Sequence, residues 1–467
     1  MSKNILINTA FGSFAEIALR ISKLTFLSLI AKLTSTETFG LYVFSVAYIS
    51  LFGVFFDFGL NPIYLRNSTK DSKEINNISF LITKIITSLI GIISLVIISL
   101  ITLEREKSFI VILIGIYTLS TEFYTFLLTS LKAQNKYKLE SSIRSILSIV
   151  PLFVCLITLL STSNFKLSIL FLAILSVLEN VICLIFINKF KFTNINSLKK
   201  NIKDIFLQAL PIAITVFLGA FYNNYDIIFL GRITSLEEVA LYSVVVKLTL
   251  AISIIPLPFL NNAVQTAFGS RKWDIDTSKK WIKGYYLSFS FGLVVYFLMN
   301  ILGYPFIKLI FGISYLASYK YLLLFSIVGL LHYVYSPLWQ LLIMNGKQTK
   351  LIIILTASMI FNFISLRILV PIYGSYGAIY SAIFTHFLIF LLHLYFSYKV
   401  LFKDIYFKKI ISDIIISLFL IFSAATFLTF YGIEKPISIF SSIIVFSSIA
   451  YYPIKKIINY SIKELFT

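Results

Sequence analysis

The chain has 467 residues, of which 58% are hydrophobic, 16% aromatic and only 13% charged, with a net charge of +20. A soluble protein carries about 25% charged residues, and beyond about 250 to 300 residues it splits into domains with polar surfaces and linkers. This chain has no Pro/Gly/Ser-rich or charge-rich linker, so a soluble enzyme or multidomain binding protein is excluded and lipid is the expected solvent.

A hydropathy window of about 19 residues predicts helices at roughly 5–32, 37–63, 76–102, 108–131, 143–162, 166–188, 206–231, 238–266, 283–310, 320–344, 349–371, 376–400, 408–431 and 436–458. These are about fourteen spans, each long enough at about 20 residues to cross the hydrocarbon layer. Polar residues interrupt the first, second and eighth, which are expected to be tilted or broken, so the count stands to within one. At the start, Met1-Ser2-Lys3 precedes an apolar stretch, but Glu16, Arg20 and Lys23 sit where a signal peptide keeps its apolar centre. The first helix is therefore expected to be an uncleaved span.

Lys and Arg concentrate at both termini and in the loops after even-numbered helices, which by the positive-inside rule puts both ends in the cytoplasm. The cluster Lys189, Lys191, Lys199, Lys200 and Lys203 then reads as a topology signal that meets anionic membrane lipid, not nucleic acid. Cys155 and Cys183 fall inside predicted helices and form no disulfide framework. His332, His386 and His393 lie in helical segments without neighbouring metal-ligand types and read as packing or interface residues. No metal or cofactor is expected.

Two short motifs point to chemistry and fail. Asp57-Phe58-Gly59 holds magnesium in kinases only together with a glycine-rich loop and a catalytic loop, and neither is present. No Gly-Lys-Ser or Gly-Lys-Thr loop is there to cradle ATP phosphates, so energy is expected from a gradient or a partner.

An internal repeat is legible. Residues 31–42 (AKLTSTETFGLY) lie without a gap on 231–242 (GRITSLEEVALY), pairing Thr34, Ser35, Glu37, Leu41 and Tyr42 with residues 200 positions on. In each case the stretch joins the first helix of a half to its second. Two halves of about six helices each, in the same topology, imply a parallel repeat about an axis along the membrane normal. The expected organisation is a bundle at 1–200, a second at 201–402 and two further helices at 403–467.

Ala31-Lys32-Leu33, the stretch Phe39–Ala47, Asp57–Leu60 and Arg66 resemble the opening of Wzx-type polysaccharide flippases of the multidrug/oligosaccharidyl-lipid/polysaccharide (MOP) exporter superfamily. Similar agreement appears at 226–242, at Asn345-Gly346-Lys347, and at Asn362 followed by 369–378, over the first twelve helices. One departure is Val239-Ala240, where the family has a glycine before Leu-Tyr. The resemblance implies an all-α, MATE-like membrane fold. It also implies transport of an oligosaccharide built on undecaprenyl pyrophosphate from the inner to the outer face of a bacterial cytoplasmic membrane. The product would feed O-antigen, capsule or a related glycan, with polymerase machinery as a further partner.

Each charge inside a span costs about 2.5 to 3.5 kcal/mol on insertion scales and should face a cavity or a partner. Thr9, Ser13, Glu16, Arg20 and Lys23 share one helical face. Lys84, Glu122, Glu179, Asp226, Lys247 and Arg367 follow in later spans. Given the resemblance, Arg20, Lys23 and Lys247, with Arg367 and Lys84, are candidates for the pyrophosphate, because phosphate oxygens take cationic forks and point charges. Lys23 and Lys84 have snorkelling toward an interface as the alternative, and Arg20 has a pair with Glu16. Asp226, Asp57 and Glu122 are the candidates for ion coupling, Asp57 with a helix-capping role as its alternative. Pro256, Pro258 and Pro337 are expected to kink their helices. The rival functions are a lipid II flippase, a multidrug exporter and, in another class, a membrane glycan polymerase or ligase, which would be expected to carry a long outer loop absent here.

Overall fold

The computed structural model describes residues 19, 21–68, 77–134, 136–186, 198–254, 275–401 and 415. Arg20, the stripe at Thr9, Ser13 and Glu16, Pro256, Pro258 and, but for residue 415, the last two predicted spans lie outside these residues. Among the described residues every regular element is helical. Among the described residues nine helices are long and apolar enough to cross a membrane, ten if one bent pair counts as a span.

The chain divides into two compact units, Met1–Gly231 and Arg232–Thr467. In the first, α1 (21–33) is followed by α2 (Thr36–Ser50), α3 (Gly53–Asp57), α4 (Leu60–Ser68), α5 (Asn77–Thr102), α6 (Arg105–Ala133), α7 (Tyr137–Thr162), α8 (Phe165–Phe186) and α9 (Leu198–Ile233). Helix α6 is the centre, packed against α2, α5, α7 and α8. The outer face of α5 shows why lipid is the solvent: Ile86, Leu89, Ile90, Ile93, Ile97, Leu100 and Ile101 are all exposed, an aliphatic stripe with helical periodicity.

The second unit holds α10 (Leu236–Ile254), α11 (Ile275–Ile310), α12 (Ser318–Met344), α13 (Gln348–Tyr373) and α14 (Ser375–Leu401). Here α12 is central, packed on α10, α11 and α14, while α13 and α14 form an antiparallel hairpin. Asn300 of α11 donates to Ser326 Oγ of α12 at 3.1 Å, and Tyr319 of α12 donates to the Asn300 carbonyl at 2.6 Å. Helix α12 runs on through Pro337.

The repeated stretches have the same local structure. Helix α1 ends at residue 33 and α2 starts at Thr36; α9 ends at Ile233 and α10 starts at Leu236. Ser35 Oγ accepts the Thr38 N–H at 3.2 Å, and Ser235 Oγ accepts the Glu238 N–H at 3.3 Å. These are the same N-cap, a serine oxygen taking one of the donors that a helix start leaves unpaired. Val239 and Ala240, where the family pattern has glycine, are fully buried within α10, and the turn before them is unaltered.

Glu238 then does a second job. Its Oε2 accepts the Ser375 N–H at 3.2 Å and the Ser375 hydroxyl at 2.7 Å, closing the N-terminus of α14. A carboxylate at that end meets both unpaired N–H groups and the positive pole of the helix dipole. Replacing Glu238 by Ala is expected to cost about 1 kcal/mol, read as a lower thermal unfolding midpoint of the detergent-solubilised protein, with Glu238→Gln intermediate.

Candidate functional site: a polar cluster at a broken helix

The second predicted span, roughly 37–63, is broken twice. Thr36–Ser50 and Gly53–Ser68 meet at 54°, and Phe58 and Gly59 take φ of +52° and +69°. Glycine adopts this left-handed backbone freely and phenylalanine does not, so the surroundings hold the turn. Phe58 stacks on Phe206 of α9 at 4.8 Å between centroids. A Cβ on Gly59 would meet Ile212 at 2.6 Å.

Breaking a helix inside a membrane strands backbone donors and acceptors that water cannot reach. Asp57 serves one side: its Oδ2 accepts the Gly59 N–H at 3.2 Å and its Oδ1 accepts Asn61 Nδ2 at 2.8 Å. Asn61 Oδ1 in turn accepts Thr129 Oγ1 of α6 at 3.4 Å. Lys84 of α5 serves the other side. Its side chain is fully buried, and its ammonium donates to the Phe56 carbonyl and lies over the Phe126 ring, 5.6 Å from the centroid. Lys84 therefore turns inward and does not snorkel.

Glu122 of α6 lies within electrostatic range of Lys84, Asp57 and Lys23. The structure thus brings Asp57, Lys84 and Glu122 together, with Lys23 in electrostatic reach. Lys23 itself is exposed on α1. Asp226 is half-buried on α9, its Oδ1 accepting the Ile227 N–H at 2.8 Å. Lys247 is half-buried on α10. Arg367 is exposed on α13, its guanidinium over the Phe363 ring at 4.6 Å.

Sequence reasoning missed a buried ion pair. Glu140, 2% exposed, lies between Lys132 at 3.3 Å and Arg144 at 3.1 Å, tying the end of α6 to the start of α7. The i,i+4 spacing of Glu140 and Arg144 was a readable signal; the reach of Lys132 across the turn was not. Glu179 of α8, predicted as an intramembrane charge, is buried. Neither of its carboxyl oxygens has a hydrogen-bond partner among the described residues.

A sequence pattern described as "Polysaccharide biosynthesis protein" matches residues 5–268, more than half of the chain. The chain belongs to that family. The chain also shares its fold with solved structures. Lipid II flippase MurJ in an inward closed conformation superposes with a TM-score of 0.67 at 14% identity, over 95% of this chain and 97% of that one. The eukaryotic MATE transporter AtDTX14 gives 0.52 at 12% identity, over 84% and 95%. An inward-facing multidrug resistance MATE transporter of the MOP superfamily gives 0.52 at 15%, over 87% and 97%. No curated protein sequence matches. The all-α, MATE-like membrane fold expected from the sequence is the fold observed.

Proposed function

We propose that the protein is a transporter that turns an oligosaccharide carried on undecaprenyl pyrophosphate from the cytoplasmic to the outer leaflet of a bacterial cytoplasmic membrane, with both termini inside. The observation that carries this reading is the family match over residues 5–268 in a chain whose fold follows that of a lipid II flippase along 95% of its length. The work is transport, with no covalent step.

In this reading Arg20, Lys23 and Lys247, with Arg367, meet the pyrophosphate as point charges and forks. Lys84, held by the Phe56 carbonyl, supports the break. Asp57 caps the restarted helix, which leaves Glu122 and Asp226 as the carboxylates for ion coupling. A carboxylate in a water-poor span can carry a cation between faces, and one charge crossing 100 mV releases about 2.3 kcal/mol. Polymerase machinery at the outer face would take the product.

A second reading, transport of lipid II itself, is favoured by the higher TM-score to MurJ (0.67) than to the MATE transporters (0.52). Deleting the gene separates the two. Intact lipid-linked repeat units are expected to accumulate on the cytoplasmic side, protected from an added glycosidase. The wild-type gene restores export, and a Lys23→Gln, Lys247→Gln variant does not. Accumulation of lipid II in place of repeat units supports the second reading, and repeat units reaching the outer face unpolymerised point to a polymerase.

A further inference from the structure

All three histidines of the chain gather at one place in the second unit. His332, Tyr335 and Trp339 stand on α12, and His386 and His393 on α14. Tyr335 is nearly parallel to both α14 histidines, at 6.0 Å and 15° from His386 and 5.6 Å and 16° from His393. His332 lies 4.7 Å from His386, and Trp339 lies 5.7 Å from His393. The Tyr335 hydroxyl and His386 Nδ1 share a hydrogen bond of 3.2 Å.

The burial pattern of α12 gives this ladder a direction. From Leu322 to Leu342 every residue is buried except His332, Tyr335, Ser336, Trp339 and Gln340, which are half-buried. Those positions run i, i+3, i+4, i+7, i+8, a single helical face about 12 Å long at 1.5 Å per residue. Faces turned to lipid in this protein look different: α13 exposes Ile352, Ile353, Ile360, Ile364 and Ile368. His332 and Tyr335 sit about 18 Å and 14 Å from the C-terminal end of α12 at the same rise, too deep for an interfacial aromatic belt, and Trp339 and Gln340 carry the same face on to about 6 Å from that end. An intramembrane face of His, Tyr, Ser, Trp and Gln belongs on a cavity.

Its chemistry points to an uncharged polyhydroxylated ligand. No Lys, Arg, Asp or Glu stands on the face, so nothing on it answers a phosphate. The C–H side of a sugar ring is apolar and weakly positive and lies well on the electron-rich face of an aromatic ring. The hydroxyl rim needs donors and acceptors. His332 Nδ1 faces the Val328 carbonyl at 2.9 Å; a carbonyl only accepts, so the proton is on Nδ1 and Nε2 carries a lone pair. His393 is fixed the same way by the Ile389 carbonyl at 2.7 Å. The two α14 rings thus back Tyr335 and Trp339 from within the core, holding the platform rigid.

We propose that this face of α12 is a saccharide-binding subsite, with Trp339 as the stacking platform and His332, Ser336 and Gln340 as hydrogen-bonding groups for sugar hydroxyls. The inference rests on the lipid-linked oligosaccharide reading above and assigns the sugar portion to a place separate from the cationic residues proposed for the pyrophosphate.

The test uses two probes on the full-length protein in nanodiscs: the oligosaccharide released by mild acid from lipid-linked material of the deletion strain, and undecaprenyl pyrophosphate without sugar. Trp339→Ala and Gln340→Ala are each expected to weaken oligosaccharide binding at least tenfold and to leave undecaprenyl pyrophosphate binding unchanged. Trp339→Phe, which keeps a ring and the packing on His393, is expected to lie within threefold of wild type. Wild-type oligosaccharide affinity in both Trp339→Ala and Gln340→Ala overturns the subsite. So does loss of both probes together, which marks a folding role for the face. If the wild-type protein binds neither probe, the flippase reading itself fails, and the subsite with it.

Discussion

Lys84→Met is expected to destabilise the first unit by about 1 to 3 kcal/mol, the cost of leaving a buried acceptor without its donor. Methionine matches the lysine stem in length but brings no donor, so the Phe56 carbonyl is left unpaired at the break between α3 and α4. Asp57 and Glu122 lose the cation that faces them. The measurement is thermal unfolding of the solubilised protein alongside its abundance in the membrane. Adding Asp57→Asn and Glu122→Gln to Lys84→Met should recover part of the loss, because the uncompensated carboxylates go while the orphaned carbonyl stays. A Lys84→Met protein that melts with wild type would show that the ammonium is not what holds the break.

Gly377→Ala is expected to be the most damaging single methyl in the second unit. A Cβ at Gly377 would lie 2.2 Å from the Leu369 carbonyl oxygen and 2.8 Å from the Val370 nitrogen. Those are backbone atoms of α13, which cannot rotate aside as a side chain can, so the α13–α14 hairpin must open. Overpacking typically costs about 1 to 3 kcal/mol, and the rigid contact puts this case at the upper end. Gly219→Ala is the matched control: nothing lies within 4 Å of its Cβ, and the change from Gly to Ala within α9 should add about 1 kcal/mol of helix propensity. Opposite shifts in unfolding temperature for the two variants are the expected result; equal shifts would discard the close-approach argument.

Gly377 also shows how the motifs that carried the family resemblance divide between structure and function. In the stretch 369–378, Gly374 takes φ of +54° beside the Glu238 carboxylate and Gly377 allows the helices to touch. Arg66 donates to Gln208 of α9 at 2.6 Å. Asp57-Phe58-Gly59 is the hinge of a broken helix.

What the sequence determined by itself is whatever depends on composition and on neighbours along the chain. The shortage of charge dictated a membrane solvent, the runs of about 20 apolar residues dictated helices, and the stretches at 31–42 and 231–242 dictated the same capped turn twice. A serine cap and a hydrophobic run act within one or two turns, so they can be read one residue after another. The tertiary structure decided which charges meet. Lys84 and Phe56 are 28 positions apart in sequence, Glu238 and Ser375 are 137 apart, and the histidine ladder joins residues on two helices. A polar group in a span must find a partner because lipid offers none, but several partners of the right chemistry exist for each, and only the packing of the helices selects one. The turn of Lys84 away from an interface and the half-buried polar face of α12 both follow from that selection.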